Sequence, residues 1–293
     1  MILEPPTELT HAFVEKHPSI LPPAHVFTVA SGKGGVGKTN VVANLAAALT
    51  MMKKRVMVLD GDLGLANVDL FLGVHPKSTL ADFFAGRKGL ADIITPSHLG
   101  IMLLPAGSGI QALTALTDEQ KIAFLTELDA LTHELDFVLV DTGAGISDTV
   151  TYFATGAHEI IIVVTPEPSS LTDAYALVKV LASSYGEKRF WILANNVGGE
   201  REGRRVYETL SRTALHFLNT SLDFLGWIPK DPELARAVSR CQLVVTIAQN
   251  SPSGQAFGIV AEKLLQIAGD RARVKGNLQF FLARLLAAVR EGK

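Results

Sequence analysis

The chain predicts an α/β fold: one doubly wound, mostly parallel sheet with helices on both faces. Three features of its 293 residues carry that expectation. From residue 25 onward, short β-rich runs alternate with longer helical patterns. Several of the short runs are continuously apolar, with no alternation, as in strands covered on both sides. A glycine-rich stretch, SGKGGVGKT at 31–39, joins the first such run to the first helical pattern, the position where a doubly wound sheet places its ligand loop.

Taken in order, Pro5, Pro6, Pro18, Pro22 and Pro23 break up the first two dozen residues. Residues 1–24 therefore read as a leader, with a short helix between Glu8 and Lys16. The candidate strands are HVFTVAS (25–31), RVMVLD (55–60), IMLLPA (101–106), FVLVD (137–141), EIIIVVT (159–165), RFWILAN (189–195) and DFLGWI (223–228). Helical patterns lie at TNVVANLAAALTMM (39–52), DEQKIAFLTELDALTHEL (118–135) and SLTDAYALVKVLASSY (170–185). EREGRR (200–205) begins a further helix with a charged, solvated face. These elements make one domain over 25–268. The stretch from 269 differs in character.

Composition narrows the function. Apolar residues make up 48% of the chain and charged residues 19%, enough for a sizeable core. A net charge of −2 argues against a surface built throughout to bind nucleic acid. The single cysteine, Cys241, excludes an internal disulfide framework and a four-cysteine metal site, fits a reducing cytosol, and reads as a small buried or partly buried residue. No histidine pair has metal-ligand spacing. The leader lacks a basic start followed by an apolar run, so it does not read as a signal peptide. No run reaches the ~18 uninterrupted apolar residues of a membrane span.

Residues 32–39 satisfy G-x-x-x-x-G-K-[ST] at every position, between a strand and a helix. Glycine admits φ > 0 and lets backbone N–H groups approach phosphate oxygens, and the helix adds its positive end. Gly32, Lys33, Gly34, Gly35, Val36, Gly37, Lys38, Thr39 and Asn40 are thus the nucleotide-binding candidates. Lys38 should reach the β- and γ-phosphates and the Thr39 hydroxyl should bind Mg²⁺. Asp60 and Asp62 follow the second strand, and Asp141 ends the strand that leads into TGAG. An isolated aspartate is more often a cap or turn residue, but strand ends converge on the crevice of such a sheet. Asp60 and Asp141 are the metal-shell candidates, and Asp62 the candidate for orienting water.

These residues resemble the MinD/ParA-type P-loop ATPases. GKGGVGKT is similar to their deviant Walker A motif, LDGDLGLANVD to switch I and DTGAG to switch II. TLADFFAGR (79–87), SLTDAYALVKVL (170–181), RFWILAN (189–195) and GNLQFFLARL (276–285) extend the likeness towards the FlhG/FleN branch, which controls flagellar number and placement. The resemblance spans about residues 25 to 290. It implies slow ATP hydrolysis with Mg²⁺, and an ATP-dependent homodimer in which Lys33 crosses to the partner's phosphates, beside Lys38 and Asp62 as the catalytic set. It implies that Asn195 contacts adenine and that IPKDPE (228–233), with Pro229 and Asp231, closes over the base, mainly through backbone. The chain reads ANNVGG where a guanine-reading N/T-K-x-D motif would stand, which favours ATP. Two departures stand out: Gly143 takes the place of a proline common in switch II, and the leader lacks the D-Q-A-x-x-L-R segment that stimulates the flagellar GTPase FlhF. The second moves the reading towards a FleQ-type transcription activator as partner, with FlhF and the flagellar switch proteins as the others.

In NLQFFLARLLAAVREGK (277–293), Leu278, Phe281, Leu282, Leu285, Leu286 and Val289 share one helical face. From 269 on, Arg271, Arg273, Lys275, Arg284, Arg290 and Lys293 outnumber Asp270 and Glu291. Composition alone favours a helix docked on its own domain. The resemblance favours peripheral association of 269–293 with an anionic membrane surface on the cytoplasmic side. A ParA-like DNA-partitioning protein and a MinD-like division-site ATPase are the alternatives, although the charge balance and tail count against direct nucleic-acid binding. A metal-cluster carrier of the same superfamily would require interface cysteines.

Overall fold

The computed structural model describes residues 24–269 apart from 63–66, 106–122, 124–125, 128–129, 132–133 and 219. The leader before Ala24, the tail after Gly269 and most of the helix expected at 118–135 lie outside the described residues. Residues 123, 126, 127, 130 and 131 of that last stretch are helical.

The sheet has eight strands in the order β3-β4-β2-β5-β1-β6-β7-β8. They are β1 (His25–Ser31), β2 (Val56–Gly61), β3 (Thr95–Pro96), β4 (Met102–Pro105), β5 (Phe137–Ala144), β6 (Glu159–Val164), β7 (Arg189–Val197) and β8 (Ser221–Pro229). Every neighbouring pair is parallel except β3–β4. Each strand predicted from sequence is present within a few residues. The β3 strand was not expected; with two residues it has no pattern to read. The β5 strand runs past Asp141 to Ala144, where Ser31 of β1 pairs with it.

The unbroken apolar runs have a direct cause. Phe27, Val29, Val56, Val58, Phe137, Leu139, Ile161 and Val163 enter one core, with helices α1 (Lys38–Met51) and, late in the chain, α10 (Pro252–Gly269) over them. The alternate residues Val26, Met57, Leu59, Val138 and Val140 enter a second cluster, and Ala30, Ile160, Ile162 and Val164 a third. Short helices α2 (Val68–Leu72), α3 (Leu80–Phe84) and α4 (Leu90–Ile93) follow β2, and α3 and α4 help cover the second cluster with α5 (Asp148–Gly156). Helices α6 (Pro168–Tyr185) and α7 (Glu200–Leu218) cover the third. Helices α8 (Pro232–Ser239) and α9 (Val244–Ile247) lead into α10.

The chain passes from β1 to β2 and leaves room for β5 between them, while β6 lies on the other side of β1. That reversal opens a crevice at the C-terminal ends of β1, β2 and β5. Cys241 corrects an expectation. It is exposed, at φ 51 in the turn after α8.

At the opposite end of the sheet, His25 stacks on His158 with ring centroids 4.7 Å apart, and His158 Nδ1 accepts a 2.9 Å bond from the Val26 N–H. Burial, aided by His158, lowers the His25 pKa to about 3, and its Nε2 is buried without a hydrogen-bond partner. Below pH 6.5 the unfolded chain takes up a proton that folded His25 refuses, so stability falls with pH down to about 3. The loss from this group should be about 2 kcal/mol by pH 5. Urea unfolding of His25→Phe at pH 7 and pH 5 should show a drop smaller than wild type by about that amount.

Candidate phosphate-binding site

The site begins where β1 ends. Gly35 and Gly37 adopt φ of 78° and 89°, the left-handed region that lets the loop wrap inward. Gly37 also meets Asn195: a Cβ there would lie 2.6 Å from Asn195 Nδ2. Helix α1 begins at Lys38 with no side-chain cap on its first turn, so its leading N–H groups face the loop interior, as phosphate binding requires. Val36 anchors the loop in the core and Lys38 is buried. Asn40 follows Thr39 in the first turn, with its Nδ2 buried and without a hydrogen-bond partner.

The acidic group assembles from two neighbouring strands. Asp60 of β2 pairs in register with Asp141 of β5, and both are buried. The Thr39 hydroxyl hydrogen-bonds the Asp141 carboxyl, and the Lys38 charge favours its ionised form. Burial nevertheless raises Asp141 to about 6. Asp60 is raised to about 7, first by burial and then by the charge of Asp141. Asp62 follows, donating its N–H to Asp60 Oδ1 at 3.3 Å. A Cβ on Gly143 would lie 3.7 Å from Asp62 Oδ1, so the end of β5 passes against this carboxylate. The segments expected to act as switches I and II therefore meet.

This cluster has too little positive charge. Asp141 Oδ1 is buried and has no hydrogen-bond partner, and two carboxyls are held well above the usual range. A divalent cation supplies what both need, so the residues present fit Mg²⁺ held by Thr39 with Asp60 and Asp141. Among the described residues no trio of His, Cys, Asp or Glu converges on one point.

Other expected residues take different positions. Asn195 Nδ2 donates to the Val36 carbonyl at 2.7 Å, which braces the loop, while its Oδ1 is buried without a hydrogen-bond partner. Pro229 ends β8, and the Lys230 N–H donates to the Val197 carbonyl at 2.7 Å. Asp231 caps α8 by accepting from the Glu233 N–H at 2.9 Å. Its other oxygen accepts from the Ser253 N–H at 3.0 Å and the Ser253 hydroxyl at 2.6 Å. With both oxygens engaged, Asp231 acts as scaffold.

The two loop lysines diverge. Lys38 turns inward, whereas Lys33 Nζ lies 3.0 Å from Glu167 Oε2 and 2.8 Å from Ser169 Oγ, at the start of α6. Glu167 and Ser169 were not predicted, because nothing in PEPSS marks either residue as meeting a loop more than a hundred residues earlier.

A model of the CobQ/CobB/MinD/ParA nucleotide-binding domain matches residues 27–244. Antiactivator FleN of Pseudomonas aeruginosa is 42% identical over 264 residues, covering 90% of this chain and 94% of that protein. The flagellum site-determining protein YlxH of Helicobacter pylori is 34% identical, covering 88% of each. Among solved structures, the septum site-determining protein MinD of Pyrococcus horikoshii in complex with Mg-ADP superposes with a TM-score of 0.67 at 29% identity. It covers 86% of this chain and 100% of that one.

The carboxylate pair sets a pH-dependent test. A carboxyl raised to about 7 stays protonated in the fold where the unfolded chain is ionised, so its stability cost grows from pH 3.8 to about 7 and is full above that. Without nucleotide at pH 8, Asp60→Asn should be more stable than wild type by on the order of 2–4 kcal/mol. The further stabilisation that wild type gains from Mg²⁺ with ADP should shrink in this variant. Thermal melts with and without Mg-ADP measure both.

Proposed function

The chain belongs to the CobQ/CobB/MinD/ParA nucleotide-binding family, and from that premise we propose that it is a Mg²⁺-dependent ATPase that regulates flagellar number and placement. The flagellar reading is supported by identity to FleN and YlxH that runs over nearly the whole chain. The MinD relative with bound Mg-ADP, together with the charge-deficient carboxylate pair, supports ATP and Mg²⁺ as ligands.

The observation that carries the mechanism is the outward position of Lys33. Lys38 holds the β- and γ-phosphates of its own nucleotide while Mg²⁺, once bound by Thr39, Asp60 and Asp141, supplies charge neutralisation at the phosphate oxygens. Asp62 orients the attacking water from the junction of the two switch segments. Lys33, on the open side of the loop, serves the ATP of a second copy, so two chains pair face to face when both hold ATP. A cation brought beside developing phosphate charge accelerates hydrolysis and makes the dimer sensitive to ATP.

Among the described residues no helix is long and apolar enough to cross a membrane. In this proposal membrane association is assigned to residues 269–293, whose sequence pattern of an apolar face with a basic surround suits an anionic surface. The ATP dimer then acts at the inner face of the cell membrane on flagellar partners, foremost a FleQ-type transcription activator. An FlhF-type GTPase or the flagellar switch proteins are further partners of the same dimer.

Lys33→Ala should bind ATP as a monomer, yet fail to dimerise and lose hydrolysis by on the order of a hundredfold or more. Asp62→Ala should accumulate as an ATP dimer that does not turn over. Size-exclusion chromatography with ATP and Mg²⁺, alongside phosphate release, reads both outcomes. A chain lacking residues 277–293 should hydrolyse ATP but no longer co-sediment with anionic liposomes in its presence; unchanged co-sedimentation would remove the tail from the mechanism.

A further inference from the structure

We propose that Ser253 is a positioning residue for the nucleotide base: through Asp231 it sets the main chain of 229–231 where that segment borders adenine. The inference rests on ATP as the ligand, and adds a residue that decides how its base is read.

In this proposal the base lies over the ends of β7 and β8. The phosphate loop follows β1, and the paired carboxylates stand to one side of it, on β5 and β2. With the terminal phosphates at that side, ribose and base extend the other way along the sheet. Asn195, near the end of β7, carries a matching group. Its Nδ2 is committed to the Val36 carbonyl at 2.7 Å, and its Oδ1 is buried with no hydrogen-bond partner. An acceptor fixed in this way suits the exocyclic amino group of adenine and opposes the carbonyl that guanine carries there. The Lys230 N–H donates to the Val197 carbonyl at 2.7 Å, so the segment after β8 lies against the end of β7.

Ser253 fixes that segment through Asp231. Its N–H and its hydroxyl both donate to Asp231 Oδ2, at 3.0 and 2.6 Å, while Oδ1 accepts from the Glu233 N–H at 2.9 Å. Capping α8 occupies one oxygen of Asp231; the other joins the segment to α10. Ser253 and Asp231 are both buried, so water competes little for these bonds. The first turn of α10 is itself held tightly. A Cβ on Gly254 would stand 2.6 Å from the carbonyl oxygens of Ala248 and Gln249, and the Ser251 hydroxyl accepts from the Gly254 N–H at 3.1 Å. The frame also reaches the helix that follows the phosphate loop. Asn44 Oδ1 accepts from the Val245 N–H of α9 at 3.3 Å, and Asn44 Nδ2 donates to the Asn40 carbonyl of α1 at 2.9 Å. Phosphate side and base side thus share one scaffold. Adenine and guanine differ in where donors and acceptors stand along one edge, so a main chain must be held still to separate them.

The test is isothermal titration of the full chain with Mg²⁺ and either ADP or GDP, which carry the same ribose and phosphates on different bases. Wild type should prefer ADP. Ser253→Ala should weaken ADP by roughly tenfold and leave GDP unchanged, since GDP is held through its phosphates. Asp231→Asn keeps an oxygen for the α8 cap and turns an amide towards Ser253. It should act in the same way, and it decides the matter if Ser253→Ala does not fold. Equal weakening of ADP and GDP, or no change in either, overturns the positioning role and leaves the proposed function standing. Wild type that binds GDP as tightly as ADP overturns adenine recognition, and the role of Ser253 with it.

Discussion

The structure depends on one constraint: the central strands are covered on both faces. In β1, β2, β5 and β6, successive side chains go alternately to opposite cores, and neither face has room for exposed polar chemistry. Charged and glycine residues are therefore confined to the strand ends. At the C-terminal ends, the strand order then sets β1, β5 and β2 side by side. The phosphate loop, Asp141 and Asp60 converge because the two cores leave them no other place.

Confinement has an electrostatic consequence. Asp60 and Asp141 pair in register near the ends of buried strands, where burial raises the cost of ionising both and the charge of Asp141 adds to the cost at Asp60. Lys38 and Thr39 offset this only in part, and both carboxyls remain well above their ordinary range. A chain selected for stability alone would not keep such a pair; a site awaiting a divalent cation needs it. Strain at the carboxylates and affinity for metal are two aspects of one charge deficit, which couples ligand binding to folding.

Most of this was legible in the sequence. The sheet could be read from apolar runs, because a parallel strand buried on both faces has no alternative pattern. The loop could be read because its glycines and Lys38-Thr39 answer a local demand for φ > 0 and backbone approach. Asp60, Asp62 and Asp141 could be placed because each ends a recognisable run. What escaped depends on contact between distant segments. Glu167 and Ser169 meet Lys33 only because β6 lies beside β1, and the closure of Asn195 onto Val36 follows from the position of β7. Cys241 escaped for another reason: a small apolar residue in a short turn takes its burial from what packs above it.

The difference between Lys33 and Lys38 shows how one loop generates two chemistries. The side chains are identical and five positions apart, yet Lys38 begins a buried helix and has Asp141 for company, while Lys33 precedes the left-handed glycine turn and lies out against α6. An inward ammonium can act only on the nucleotide its own loop holds. An outward one, paired with a partly exposed carboxylate, can exchange that partner for any stronger anion that comes within reach. Under the proposed function, that anion is the triphosphate held by a second copy. A loop that binds ATP would, on that proposal, also detect whether a second loaded loop is present.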